Sequence, residues 1–375
     1  MTDTMLAAVW ERADEPFRLE EIRRPSPRRG EALVRVSSCG VCHTDLHVMK
    51  GEVNFPAPAV LGHEISGQVV ELGPDTTSTT VQVGRQVVGA FIMPCGSCRA
   101  CGRGRDDMCS EFFGQNRLRG VLYDGSTRLY RTDGTPLAMY SMAGFAEYAV
   151  VPVTALAPLP DGLDAESAAV LGCAGLTAYG AVHNAAALQA GETVVVVAVG
   201  GVGSSIIQLA KERGATTVIA VDVDADKLTA ARGLGADHVV NSRDTDPVSA
   251  VQDILGGRGA DVVFEVLGLP QTFEQAVRMV GDGGRMVAVG IAAGAASAAV
   301  EITPLVRRGV RIIGSFGART RVDLPAVVGS AATGALSLPD TVTRRYPLER
   351  VNEAFTDLRD GRIRGRAIVH MGENA

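Results

Sequence analysis

Lysine is almost missing from this 375-residue chain. Lys50, Lys211 and Lys227 are the only three, and arginine carries the remaining basic charge. Acidic residues outnumber Lys and Arg by 42 to 36, a formal net charge of -6. That balance offers no basic surface for nucleic acid or for an anionic membrane. Long apolar runs are also lacking: none approaches the roughly 20 residues that a membrane-spanning helix needs. The first residues, Met1 to Thr4, are polar and lack the apolar core of a secretion signal, so a cytoplasmic setting with reduced thiols is expected. Aromatics make up only 5% of the chain. What remains is an ordinary globular balance, 46% hydrophobic and 21% charged, in a length that suggests two domains.

Cysteine is the residue whose distribution is uneven. Of seven, four fall in one short segment, Cys95, Cys98, Cys101 and Cys109, in the pattern C-x2-C-x2-C-x7-C. The segment has almost no apolar side chains to fold around. Four thiolates about one tetrahedral zinc would hold it, and filling all four positions makes that metal structural. The other three are Cys39, Cys42 and Cys173. Cys42 and Cys173, read with His63 in Gly62-His63-Glu64, supply nitrogen and sulfur donors of the kind zinc prefers. Three ligands leave a coordination position open, the mark of a catalytic zinc. Cys39 forms a C-x-x-C with Cys42 and is read as a small core residue.

The texture of the chain changes midway. Residues 5–40 and the stretches Ile65 to Leu72 and Gln86 to Phe91 read as short strands between Pro- and Gly-rich turns. Residues 112–143 read as a long polar excursion with a hairpin or two. A helical stretch from Asp164 to Leu171 delivers Cys173. From Thr193 strands alternate with helices: Thr193–Val199, Thr217–Val221, Asp261–Val266, Arg285–Val289 and Val310–Ile313 are apolar and β-branched, as in a buried parallel sheet. Helices are expected over 201–213, 225–234 and 272–280. This is the rhythm of a doubly wound sheet. The last strand, Arg366–His370, is expected to return to the first domain.

The first strand-to-helix turn of that second half reads Ala198-Val199-Gly200-Gly201-Val202-Gly203. It departs from G-x-G-x-x-G only in placing Ala198 at the first glycine. A strand precedes it, a helix follows, and Asp222 stands 19 residues beyond Gly203 at the end of the next strand. The turn lets the backbone approach a pyrophosphate at a helix N-terminus. A carboxylate at Asp222 accepts hydrogen bonds from the adenosine ribose and repels a 2′-phosphate, so NAD(H) is expected over NADP(H). Lys227, five residues on, is a second residue within reach of that ribose.

With these motifs in view, nearly the whole chain resembles the zinc-dependent medium-chain alcohol dehydrogenases. The carriers are Cys39-Gly40-Val41-Cys42-His43-Thr44-Asp45-Leu46-His47, Gly62-His63-Glu64, the four-cysteine lobe, Leu171-Gly172-Cys173 and the nucleotide turn with Asp222. The resemblance implies an α/β fold: a GroES-like, mostly β catalytic domain (1–174 plus 317–375) and a Rossmann-type cofactor domain (175–316). It implies Cys42, His63 and Cys173 as ligands of a catalytic zinc, with Glu64 close by, and so two zinc ions per chain. It implies hydride exchange between an alcohol and NAD, the proton leaving from Thr44 by way of the nicotinamide ribose and His47. His43 and Arg366 would meet the cofactor, and Phe91 would line the substrate pocket. Alcohol, aldehyde or ketone substrates follow, with a homodimer expected and a tetramer as the alternative. Two other readings compete: a formaldehyde dehydrogenase acting on a thiol adduct, and a non-catalytic zinc-stabilised nucleotide-binding protein.

Overall fold

The computed structural model describes residues 3–292 and 294–372. Met1 and Thr2, part of the N-terminal stretch read above, lie outside the described residues. The chain divides into two compact units: residues 1–176, 319–334 and 342–375 form the first, and 177–318 with 335–341 the second. The expected boundaries were 174/175 and 316/317. Residues 335–341 were expected in the first domain and belong instead to the second. There Ser337 N–H donates to Gln208 Oε1 at 2.8 Å, on the helix Gly201–Glu212.

The first unit is built on two sheets, one of five strands and one of seven. Glu31–Val41 runs through the larger, pairing antiparallel with Ile65–Leu72 on one side and with Arg366–His370 on another. The last strand thus lies beside residues from the beginning of the chain. Successive side chains point to opposite faces, and Ala367, Ile368 and Val369 are all fully out of solvent, so both faces of this strand are covered.

Residues 112–143 are not a loose excursion. Phe112–Arg117 is a π-helix, and Leu129–Tyr130 pairs with Pro136–Met139 as the last two strands of the five-stranded sheet. An ion pair fixes the segment. Arg128 donates from Nε to Glu31 Oε2 at 2.9 Å and from Nη2 to Glu31 Oε1 at 2.6 Å, with both side chains buried. Buried charges are tolerated when paired this way, two-pronged and with further acceptors, here Asp124 at 2.9 Å.

The second unit is a six-stranded, wholly parallel sheet. Numbered within the unit, its order is 3-2-1-4-5-6, the doubly wound arrangement that binds ligands where the order reverses. Thr193–Val197 lies at its centre, and Val194 to Val196 are fully buried. The strand is shorter than the run 193–199 suggests because Ala198 turns the chain, with φ +72°. A third strand, His238–Asn241, and a helix, Pro247–Ile254, were not read from the sequence. The helix starts as the rules allow: Asp246 accepts Ser249 N–H at 2.9 Å, and Pro247 sits in the first turn. Among the described residues no helix is long and apolar enough to cross a membrane.

Candidate metal and nucleotide sites

Three segments of the first unit bring Cys42, His63, Glu64 and Cys173 together. Cys42 ends the strand Glu31–Val41 and is the N-cap of the helix His43–Met49. His63 and Glu64 precede the strand Ile65–Leu72, and Cys173 follows the short 3-10 helix Ser167–Gly172. The turn into His63 depends on Gly62: its φ is +100°, and a Cβ there would meet Phe145 N at 2.7 Å. One donor atom from each of the four residues lies within 4.8 Å of the others, and all four are buried. Thr44 Oγ1 is 3.5 Å from Cys42 Sγ.

The chemistry of this group calls for a cation. His63 Nε2 and Glu64 Oε2 are buried and have no hydrogen-bond partner, a costly condition for polar atoms unless something binds them. The Cys42 thiol is held well below its ordinary pKa by its hydrogen bond with Cys173 and by His63. Burial would lower the pKa of His63, yet Asp45 and Cys42 raise it well above the ordinary value. Burial pushes the Glu64 carboxyl up to about 7 in spite of the Arg366 guanidinium. The site thus gathers four buried donor-bearing side chains around one point. Two thiol sulfurs and an imidazole nitrogen match what Zn²⁺ takes with one position left over.

Two residues complete the surroundings. Asp45 is fully buried. Its Oδ1 accepts Gly62 N–H at 3.1 Å, and its Oδ2 lies 2.9 Å from His63 Nδ1. A carboxylate there fixes the ring's orientation and its tautomer, freeing Nε2 to ligate. Asp45 was not singled out from the sequence. It sits three residues past Cys42 on a seven-residue helix, too short to show a burial period. Arg366, expected at the cofactor, has its guanidinium against Glu64 Oε1, and both side chains are buried.

The second cluster is Cys95, Cys98, Cys101 and Cys109, whose sulfurs also lie within 4.8 Å of one another. Backbone N–H groups point at them: Cys98 N to Cys95 Sγ at 3.3 Å, Cys95 N to Cys109 Sγ at 3.3 Å, Cys101 N to Cys98 Sγ at 3.5 Å. Such bonds favour thiolates; that from Cys101 N–H helps bring the Cys98 pKa down to about 6. The lobe is tied down by Arg321, which donates to Asp106 and, at 2.7 Å, to Cys101 O.

In the second unit Gly200 caps the helix Gly201–Glu212. A Cβ on Gly203 would meet Ala198 O at 2.1 Å, so only glycine fits. Asp222 reaches back to the turn: Oδ2 accepts Val199 N–H at 2.9 Å, while Oδ1 accepts Val223 N–H at 2.8 Å and Asp224 N–H at 3.0 Å. Lys227 lies half-buried on the next helix, Ala225–Gly233. Elsewhere, His43 is exposed, and His47 is half-buried with Nδ1 at the Glu52 carboxylate. Phe91 meets His63 edge to face, with ring centroids 6.2 Å apart.

Known proteins place this architecture. The family model described as an alcohol dehydrogenase GroES-like domain matches residues 28–161, and that described as a zinc-binding dehydrogenase matches 201–332. The chain belongs to the zinc-dependent medium-chain alcohol dehydrogenase family and is an oxidoreductase. It is 34% identical to an NDMA-dependent alcohol dehydrogenase of Amycolatopsis methanolica, over 98% of this chain and 99% of that one. It is 34% identical to an S-(hydroxymethyl)glutathione dehydrogenase of Photobacterium damsela subsp. piscicida, over 95% and 96%. The crystal structure of a benzyl alcohol dehydrogenase from Acinetobacter calcoaceticus superimposes with a TM-score of 0.92 at 31% identity, covering 99% of this chain and all of that one.

Proposed function

We propose that this chain is an NAD(H)-dependent, zinc-dependent alcohol dehydrogenase or carbonyl reductase, with two zinc ions per chain. The observation that carries the proposal is the buried Cys42–His63–Cys173 group, with His63 Nε2 unpartnered and its ring braced by Asp45. Zinc held there would supply a Lewis acid for an alcohol hydroxyl, and a bound nicotinamide would supply the hydride chemistry. The chain's own residues do the rest. Cys42, His63 and Cys173 hold the metal. Asp45 holds the Nδ1 side of the His63 ring and so turns Nε2 toward the metal. Thr44 Oγ1, beside Cys42, would take the hydroxyl proton as it releases its own, and His47 beside Glu52 would hand a proton on to water. Arg366 offsets the charge of Glu64. Gly200, Gly201, Val202 and Gly203 cradle the pyrophosphate; Asp222 and Lys227 face the adenosine ribose, and His43 the phosphates. Phe91 lines the substrate wall beside His63.

Small alcohols, aldehydes and ketones are the substrates in this reading, and the setting is the cytoplasm. A homodimer is supported by the edge of the parallel sheet. Arg311–Gly314 ends the sheet with its side chains mostly exposed, and the adjoining helix Ile302–Arg307 buries none of its residues. On that helix Ile302 and Val306 are more than 70% exposed, and exposed apolar side chains beside an open sheet edge suit an interface.

The test is a panel of primary and secondary alcohols scored by NADH absorbance, run in parallel with NADP. Alcohol-dependent NADH formation, with NADP at least tenfold poorer in kcat/KM, is expected. Equal use of the two cofactors overturns the role given to Asp222, and cofactor binding without turnover of any alcohol leaves the non-catalytic reading. The S-(hydroxymethyl)glutathione dehydrogenase relative keeps the thiol-adduct reading in play; formaldehyde oxidation that requires added thiol would favour it.

A further inference from the structure

Beside His63 lies a side chain that the metal chemistry does not use. Tyr140 is fully buried, and its ring stands edge-on to the His63 imidazole, centroids 6.1 Å apart, and to Phe55 at 4.9 Å. Its hydroxyl is enclosed without a hydrogen-bond partner. Phenylalanine would fill the same space without stranding a polar atom, so the oxygen calls for an explanation.

The second unusual group is Arg117, the last residue of the π-helix Phe112–Arg117. Its guanidinium lies over the Tyr140 ring, 4.2 Å from the centroid. Arg117 is half-buried and has no carboxylate partner among the described residues, unlike Arg128, Arg131, Arg285 and Arg321, each of which meets one. The π-helix, a form common at functional sites, also turns Asn116 inward. Asn116 Nδ2 donates to Met139 O at 3.1 Å and to Ser141 O at 3.2 Å, and its Oδ1 accepts Ser141 N–H at 2.9 Å. The backbone on both sides of Tyr140 is thereby clamped. Ser141 in turn donates its hydroxyl to Phe91 O at 2.8 Å, which ties the other ring beside His63 to the same clamp.

We propose that Tyr140 and Arg117 select substrates by gripping an acceptor group, above all a carboxylate, carried on the alcohol at some distance from its carbinol. The inference rests on the reading of this chain as an alcohol dehydrogenase. The two side chains lie against each other, neither meets a carboxylate among the described residues, and an arginine can only donate. A tyrosine hydroxyl, with an ordinary pKa of about 10, keeps its proton at neutral pH and is itself a donor. A cation–π contact of a half-exposed arginine is weaker than a charge-assisted hydrogen bond to an anion. An arriving carboxylate therefore draws Arg117 off the ring, which uncovers the Tyr140 hydroxyl, and both donors gain a partner.

The experiment compares benzyl alcohol with 3- and 4-(hydroxymethyl)benzoate as substrates of the full-length zinc-loaded protein. The wild type is expected to favour a carboxylated alcohol in kcat/KM. In Tyr140→Phe and in Arg117→Met that preference falls at least tenfold, the loss lying mainly in KM for the carboxylated alcohol, while Arg117→Lys recovers part of it. The melting temperature of Tyr140→Phe should not fall, because the variant removes an unpartnered buried hydroxyl. Turnover of benzyl alcohol with no preference for either benzoate, or a preference untouched by both variants, overturns this proposal while the alcohol dehydrogenase reading stands. A lower melting temperature for Tyr140→Phe with an unchanged preference also overturns it, since the hydroxyl is then structural. Turnover of none of the three alcohols sinks the underlying reading and this proposal with it.

Discussion

Replacing Asp45 with asparagine isolates how the metal-facing nitrogen of His63 is set. The carboxylate performs two tasks at once: Oδ1 accepts Gly62 N–H at 3.1 Å and Oδ2 faces His63 Nδ1 at 2.9 Å. Asparagine has nearly the same shape but only one acceptor. If its oxygen keeps Gly62, its NH2 group faces Nδ1, which must then become the acceptor. The ring proton moves to Nε2, the atom that should bind the metal. If its oxygen turns to His63 instead, Gly62 N–H is left buried without a partner, at a cost of about 1–3 kcal/mol. Losing a carboxylate behind a metal-binding histidine weakens metal affinity by roughly 10–100-fold, about 1.4–2.8 kcal/mol. Competition with a chromophoric chelator measures the zinc dissociation constant of wild type and D45N, and melting of the metal-free proteins shows whether the fold is kept. The expected result is a dissociation constant at least tenfold higher at the weaker-bound site. Affinities within about twofold would refute the role given to Asp45.

Two further predictions concern the fold. Ala198 holds φ +72°, where a residue with a Cβ costs about 1–2 kcal/mol; glycine relieves that but adds about 0.5–1 kcal/mol of chain entropy. Ala198→Gly is therefore expected to raise the melting temperature by about 1–4 °C without weakening NADH binding, and a drop in melting temperature contradicts the strain. Asp124 is the pH-sensitive pin of the 112–143 segment. Burial would raise its pKa, but Arg128, Ser126 and Arg28 hold it well below the usual carboxylate range. A depressed folded-state pKa gives stability that is present above the unfolded value near 4 and is lost as the pH falls. The stability gap between wild type and Asp124→Asn, no more than about 1 kcal/mol for so exposed a group, should be widest near pH 7 and narrow as the pH falls below about 4 toward the depressed folded-state value. A gap that widens in acid contradicts it.

How much of this was legible in the sequence depended on whether the signal was local. The central strand Thr193–Val197 announces itself as an unbroken β-branched run, and the four-cysteine lobe by its spacing. The strand His238–Asn241 has only two apolar residues between polar ends, which no period distinguishes from a loop. The helix Thr320–Ala332 carries Pro325 in its interior and Gly329 near its end, so propensity argues against a helix that tertiary packing nevertheless forms. Residues 112–143 looked like an excursion because their polar content is high. Much of that content is the Arg128–Glu31 pairing, which joins residues 97 apart in the chain. At the metal site the donor types could be read from the motifs. The pairing of Arg366 with Glu64 spans 302 residues and left no mark on the local pattern. Asp45 and Tyr140 were missed for the same reason: burial gives each its meaning, and burial at those positions is decided by the fold.

The division of labour between the two cysteine clusters is tested most directly by counting zinc in the wild type, Cys173→Ser and Cys101→Ser by elemental analysis, with melting and alcohol-dependent NADH formation recorded on the same samples. The account predicts two zinc ions in the wild type. Cys173→Ser should have about one, with activity lost and melting little changed, while Cys101→Ser should lose zinc and unfold at markedly lower temperature. A wild type holding a single zinc, or two variants that lose stability and activity alike, would contradict it.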